Sequence, residues 1–282
     1  MEVNERPIRR NIAAEMVLPG GTLELRSSQR LTVEAGEGQL EARPGGWRWQ
    51  APRAPGHYPL TVRGQDGTVI LNVLVLRPSS EMRDGRLGEY QIGHYPRRNG
   101  RSTTPAGFIE VWRETESVAL SPHFRIGQFL CKQAGGYPKY LVVDLELIDK
   151  LEGVLQEINA AGHNVDTLEI MSGFRTPAYN AGLNNVSFSQ HLFGRAADVY
   201  VDTKPPAQRM DDLDRDGRAD IRDVHWLFQL TSGLEHSGEV VAGGLGGYRA
   251  NAMRGPFLHV DARGTPARWG ELPAGLRVSA LR

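Results

Sequence analysis

Through the first 78 residues, apolar and polar residues alternate in short runs separated by turns that carry glycine or proline. Leu23-Glu24-Leu25, Leu31-Thr32-Val33, Trp47-Arg48-Trp49 and Tyr58-Pro59-Leu60-Thr61-Val62 all keep a period of two. Val69 to Leu76 is more continuously apolar. Between these runs stand Pro19-Gly20-Gly21, Pro44-Gly45-Gly46, Pro55-Gly56 and Asp66-Gly67. A period of two sends successive side chains to opposite faces, which suits a half-buried strand and no helix. Short strands at this spacing predict a small all-β sandwich over residues 1–78.

At 282 residues the chain has room for a second domain. Lys and Arg number 33, balanced by 33 Asp and Glu, so no basic surplus points to a nucleic acid partner. No apolar run approaches the ~20 residues of a membrane span. The single cysteine, Cys131, lies beside Phe129 and Leu130 and reads as a buried, inert thiol. Met1 to Glu5 hold no apolar leader segment, so either the chain stays in the cytoplasm or a leader has been removed.

Residues 79–119 are rich in Pro, Gly, Ser and Arg and read as a connector, with Arg97 to Ser102 as an exposed loop. The second domain is expected over residues 120–282. Ser121 followed by Pro122 suits a helix start. A clearer helix follows Asp144, where Leu145, Ile148, Leu151, Leu155 and Ile158 fall at helical spacing and Gly162 marks the stop.

The chemistry begins at Glu169, where a strand-like run enters Ser172-Gly173-Phe174-Arg175-Thr176-Pro177. Then come Ser189-Gln190-His191-Leu192-Phe193-Gly194-Arg195-Ala196-Ala197-Asp198 and the short strand Phe257-Leu258-His259-Val260-Asp261. Two imidazoles and one carboxylate, His191, His259 and Asp198, suit Zn²⁺ with a fourth position left for water.

These three motifs, in this order, resemble the M15 zinc peptidases, which include bacterial D-Ala-D-Ala carboxypeptidases and murein endopeptidases. The likeness covers roughly residues 120–270, with Gly246-Gly247-Tyr248 and Arg268-Trp269 as flanks. It implies an α+β domain whose small antiparallel sheet carries the ligands, and zinc on His191, Asp198 and His259. It also implies a substrate or oxyanion contact at Arg175 and places Ser189 beside the metal, in contact with substrate. The implied substrate is peptidoglycan, which puts the protein in the periplasm or outside the cell. Many relatives carry an acid three residues before the last histidine ligand, or a histidine two before it, as general base. Here those positions are Pro256 and Phe257, which take no proton. Asp261, two residues after His259 on the same strand face, is the nearest carboxylate: it either moves the proton or orients His259. His236 and Glu239 are weaker candidates. Separately, Trp49-x-Ala51-Pro52-x-x-Pro55-Gly56-x-Tyr58 loosely resembles bacterial immunoglobulin-like modules.

A further motif lies between the second and third zinc ligands. Counting Asp212 as position 1, Asp212, Asp214, Asp216, Asp220 and Asp223 supply oxygens at positions 1, 3, 5, 9 and 12, with Gly217 at 6 and the Arg218 carbonyl at 7. That is the arrangement of an EF-hand-type Ca²⁺ loop. Aspartate at position 12 resembles the loops of dockerin modules. Pro205-Pro206 leaves space before it for only a short helix, and Val224, Leu227, Phe228 and Leu230 suit a helix after it. The expectation is a structural calcium loop inserted in a zinc peptidase. Two alternatives stand beside it: a non-catalytic, metal-bearing wall binder, and a calcium-responsive scaffold whose β-module does the binding.

Overall fold

A computed structural model describes residues 1–203, 209–271 and 273–274. Two compact units divide the chain. The first takes Met1–Gly127, Gln133–Val142 and Thr176–Ser187; the second takes Gln128–Lys132, Val143–Arg175 and the residues from Phe188 onward. Strand outweighs helix, and the strands fall in several sheets.

The first unit begins with β1 (Glu2–Val3), β2 (Arg6–Pro7), β3 (Ile12–Val17), β4 (Thr22–Arg26), β5 (Thr32–Ala35), β6 (Gln39–Arg43), β7 (Gly46–Gln50), β8 (Gly56–Gly64) and β9 (Gly67–Val75). They form two sheets, ordered β2-β1-β4-β7-β6 and β3-β9-β8-β5. The alternation read from the sequence sets their faces: Leu23 and Leu25 of β4 point inward while Thr22 and Arg26 face water. Leu23, Leu25 and Trp49 from one sheet meet Leu60, Val62, Leu71 and Val73 from the other in one buried core. Trp49 is fully buried, and its indole N–H donates to the Glu37 carbonyl at 2.9 Å, so the polar end is satisfied. Gly38, at φ +82°, gives that ring its room: a Cβ there would stand 2.5 Å from the indole nitrogen. β3 pairs parallel to β9, a long-range pairing with no local signal.

Residues 79–119 are more than a connector. After β10 (Arg77–Pro78) come β11 (Arg86–Leu87), β12 (Tyr90–Gln91), β13 (Arg97–Arg98), β14 (Arg101–Ser102) and β15 (Gly107–Val111). β15 sits between β10 and β16 (Lys139–Leu141). Leu87, Tyr90, Ile92, Tyr95, Phe108, Ile109 and Val111 are buried. Strands of two residues are too short to display alternation, and their apolar residues stand singly among Arg and Gly. The expected exposed loop is the tip of the β13–β14 hairpin, turning at Asn99 and Gly100, both at positive φ. Ser121-Pro122 starts no helix; the amides of Leu120 and Ser121 both donate to the Phe124 carbonyl and close a turn. Phe124 and Ile126 are buried individually rather than along a helical stripe. β16 and residues 176–187, expected in the second domain, belong to the first unit, because β16 pairs with β15 and the Ala178 amide bonds the Ile92 carbonyl.

In the second unit, α1 (Leu145–Ala160) is the helix expected there. Asp144 caps it by accepting from the Glu146 amide, and Leu147, Ile148, Leu151, Val154, Leu155 and Ile158 are buried. Its sheet is ordered β17 (Glu169–Ser172), β18 (Ala196–Tyr200), β20 (Phe257–Asp261), β19 (Gly244–Tyr248) and β21 (Ala267–Gly270). It is antiparallel except for the β19–β21 pair. The short α2 (Pro177–Gly182) lies in the first unit; α3 (Ile221–Ser237) packs against β19, β20 and α1. Alternation gives the sheet two faces. Val199, Leu245, Leu258 and Val260 form an apolar one, and Asp198, His259 and Asp261 stand on the other.

Candidate metal centre

Register builds the site. β18 and β20 pair so that Asp198 lies directly opposite His259, with Ala196 opposite Asp261 one step along the same face. His191 comes from a 3₁₀ turn, Gln190–Phe193, which Gly194 ends in the left-handed region at φ +65°. All three side chains are buried. His259 Nδ1 stands 2.9 Å from Asp198 Oδ1 and 3.2 Å from His191 Nε2. His191 Nε2 lies 3.4 Å from the same Asp198 oxygen. The three ligand atoms converge on one point, and the group can hold a metal ion.

Each ligand is held from behind. The far nitrogen of His191, Nδ1, lies 2.7 Å from the Gly173 carbonyl and donates to it when Nε2 is left free as a ligand. The far nitrogen of His259, Nε2, lies 3.3 Å from Asp261 Oδ2. The second oxygen of Asp198 pairs with the Arg175 guanidinium, whose Nε donates to Ser172 Oγ at 2.9 Å. Ser172 is the register partner of Asp198 on β17.

The electrostatics follow. Burial depresses the pKa of His191 more than the attraction of Asp198 raises it, which favours the neutral ring a metal requires. Burial works against charging His259 too, but hydrogen bonds to Asp198 and Asp261 outweigh it and raise its pKa. Burial pushes the Asp198 carboxyl up, and the two histidines pull it well below the ordinary carboxylate range.

Of the two roles open to Asp261, the geometry matches the orienting one. Its carboxylate is fully buried and accepts from the Gly244 amide at 2.7 Å and from Arg263 Nε at 2.9 Å, besides the His259 contact. It touches the nitrogen of His259 that faces away from the converging ligands. Asp261 lies across the imidazole ring from the side on which His259 meets Asp198 and His191. Arg175 is brought to the site but is already engaged with a ligand. Ser189 is buried at the start of the 3₁₀ turn, two residues before His191. His236 and Glu239 are exposed at the end of α3.

Trp269 is a site neighbour noted in the sequence only as a flank. Its ring centroid lies 5.0 Å from that of His259, and its N–H donates to the Tyr248 hydroxyl at 2.9 Å. Gly244 and Gly246 make this possible: a Cβ on Gly246 would stand 2.3 Å from the indole nitrogen. Glycines inside a strand are the signal for such an approach.

The second predicted site divides. Asp212, Asp214 and Asp216 form a group that can hold an ion. The amides of Asp216 and Gly217 donate to the two Asp212 oxygens at 3.0 and 2.7 Å, and the Arg218 amide donates to Asp216 at 2.9 Å. Asp220 and Asp223 form a reciprocal cap on α3. Asp223 is fully buried and accepts from the amides of Leu213 and Asp220 at 2.6 and 2.7 Å. Arg222 pairs with Asp216. Pro205-Pro206 lies outside the described residues.

Comparison of the chain with protein-family models and with curated proteins finds no match to either.

Proposed function

We propose that the chain is a zinc-dependent peptidase of the M15 type, acting outside the cytoplasm on D-amino-acid peptide bonds of peptidoglycan stem peptides. One observation carries the zinc reading. Zinc bonds of about 2.0–2.1 Å in a tetrahedron set ligand atoms about 3.3 Å apart. The separations here are 2.9, 3.2 and 3.4 Å. The motif order around these residues supports the peptidase reading. Bound Zn²⁺ would supply Lewis-acid polarisation of the scissile carbonyl and acidify the attacking water. The chain's own groups do the rest. Gly173 and Asp261 aim the two imidazoles, and Arg175 holds the second oxygen of Asp198. The remaining N–H donors of Arg175 suit a substrate carboxylate or a developing oxyanion, since a guanidinium stays charged and donates in parallel.

A second reading rests on a specific observation: Pro256 and Phe257 stand where many relatives carry the base, and Asp261 is engaged as an orienting group. That favours a non-catalytic, metal-bearing wall binder. Mass spectrometry of peptidoglycan fragments incubated with zinc-loaded protein separates the two. The peptidase reading expects released D-alanine or an opened crosslink, and the bond cut identifies the activity. Wall binding by fully zinc-loaded protein with no fragment released would replace it with the second reading.

The Asp212–Asp216 group reads as a structural Ca²⁺ site. A ligand bound only to the native state at 100 times its Kd adds about 2.7 kcal/mol. Calcium added to metal-stripped protein should therefore raise the Tm by several degrees. Asp214→Ala with Asp216→Ala should abolish that rise; an equal rise in the double variant would count against the site.

A further inference from the structure

Lys150 interrupts an apolar helix face. Its neighbours on α1, Leu147, Leu151 and Val154, are buried, and so is its whole side chain. Its ammonium donates to the Asp261 carbonyl at 2.8 Å and pairs with Glu235 of α3. The same Glu235 oxygen accepts from the Gly243 amide at 3.1 Å, and its other oxygen pairs with Arg268. Arg268 in turn donates to the carbonyls of Gly243 and Ala267 at 2.7 and 3.0 Å. Three charged side chains thus pin the backbone where β19, β20 and β21 begin or end. Gly243 lies so close to β20 that a Cβ on it would meet the Asp261 carbonyl oxygen at 1.7 Å.

Buried ion pairs are poor fasteners: apolar residues of similar volume often serve stability as well or better. Apolar residues cannot, however, hold a carbonyl and an amide in fixed directions. Asp261 is the residue whose carbonyl is held, and its carboxylate faces the far nitrogen of His259. We propose that Lys150 and Glu235 are positioning residues for the metal centre, fixing Asp261 and through it the direction of His259 Nδ1. The inference rests on the metal reading of His191, Asp198 and His259.

The test is Co²⁺ titration of the full chain, followed by its visible absorption, which reports ligand geometry without any activity assay. Two variants are compared with wild type: Lys150→Met, and Lys150→Met with Glu235→Gln, which removes both charges of the pair, keeps a side-chain oxygen for Arg268 and guards against simple unfolding. Groups behind metal ligands are typically worth 10–100-fold in affinity. The folded double variant should lose about that much Co²⁺ affinity and shift its absorption bands, while its Tm stays close to wild type. Wild-type affinity and spectrum in the folded double variant would overturn the inference alone. Failure of wild-type protein to bind Co²⁺ would overturn the metal reading and this inference with it.

Discussion

His191→Ala should yield a folded chain that no longer retains zinc, where wild-type protein carries about one ion per chain after dialysis. His191 sits on a short 3₁₀ turn, so truncating it leaves the pairing of β18 and β20 in place. What it removes is one of the three side chains that, among the described residues, make up the candidate metal group. Zinc sites with four ligands bind with about 10–16 kcal/mol, so each ligand's share is about 2.5–4 kcal/mol. That corresponds to at least about a hundredfold loss of affinity. The variant should also lose any peptide-bond hydrolysis. Metal analysis of purified protein, with circular dichroism as the folding control, reads the result. A full zinc complement in a chain lacking both His191 and Asp198 side chains would sink the ligand assignment.

The second large effect concerns stability. Asp223→Ala should destabilise the chain by about 3–5 kcal/mol even with calcium chelated, whereas Asp214→Ala under the same conditions should cost about 1 kcal/mol or less. Asp223 Oδ1 takes the Leu213 amide and Oδ2 the Asp220 amide, with the Asp214 amide at 3.3 Å as a third donor. Its removal strands the buried amide of Leu213 and the Asp220 amide at the cap of α3. Asp214 is exposed, and water can take over its contact with the Asp216 amide. Urea unfolding of both variants in EDTA compares them. Equal, small losses would mean that Asp223 is a cation ligand first and a structural group second.

These two residues also show where a linear motif stops informing. As letters, Asp214 and Asp223 are both oxygen-ligand positions, 3 and 12, of one calcium loop. In the fold, one faces solvent with Asp212 and Asp216, and the other is a buried cap. Asp261 behaves alike. Its place two residues after His259 puts it on the right strand face, but whether it carries a proton or steers a ring depends on Gly244 and Arg263.

Much of the architecture was nevertheless legible from local pattern. The two-residue period around Leu23, Trp49 and Leu60 marked strands, and the spacing of Leu151, Leu155 and Ile158 behind Asp144 marked α1. Such patterns are readable because burial of one face repeats within a single element. The same holds for His191, Asp198 and His259, whose residue types already specify a donor set. Only the tertiary structure decided how residues 79–119 pack, since β11 to β14 have two residues each and carry no period, and β15 is buried almost throughout. It also decided that Asp198 faces His259 across a pairing of residues 61 apart, that Arg175 serves Asp198, and that Lys150 reaches Asp261 from a helix 111 residues away. Register and the burial of single charges are long-range properties: they depend on which strands meet and at what offset, and no window of neighbouring residues contains that information.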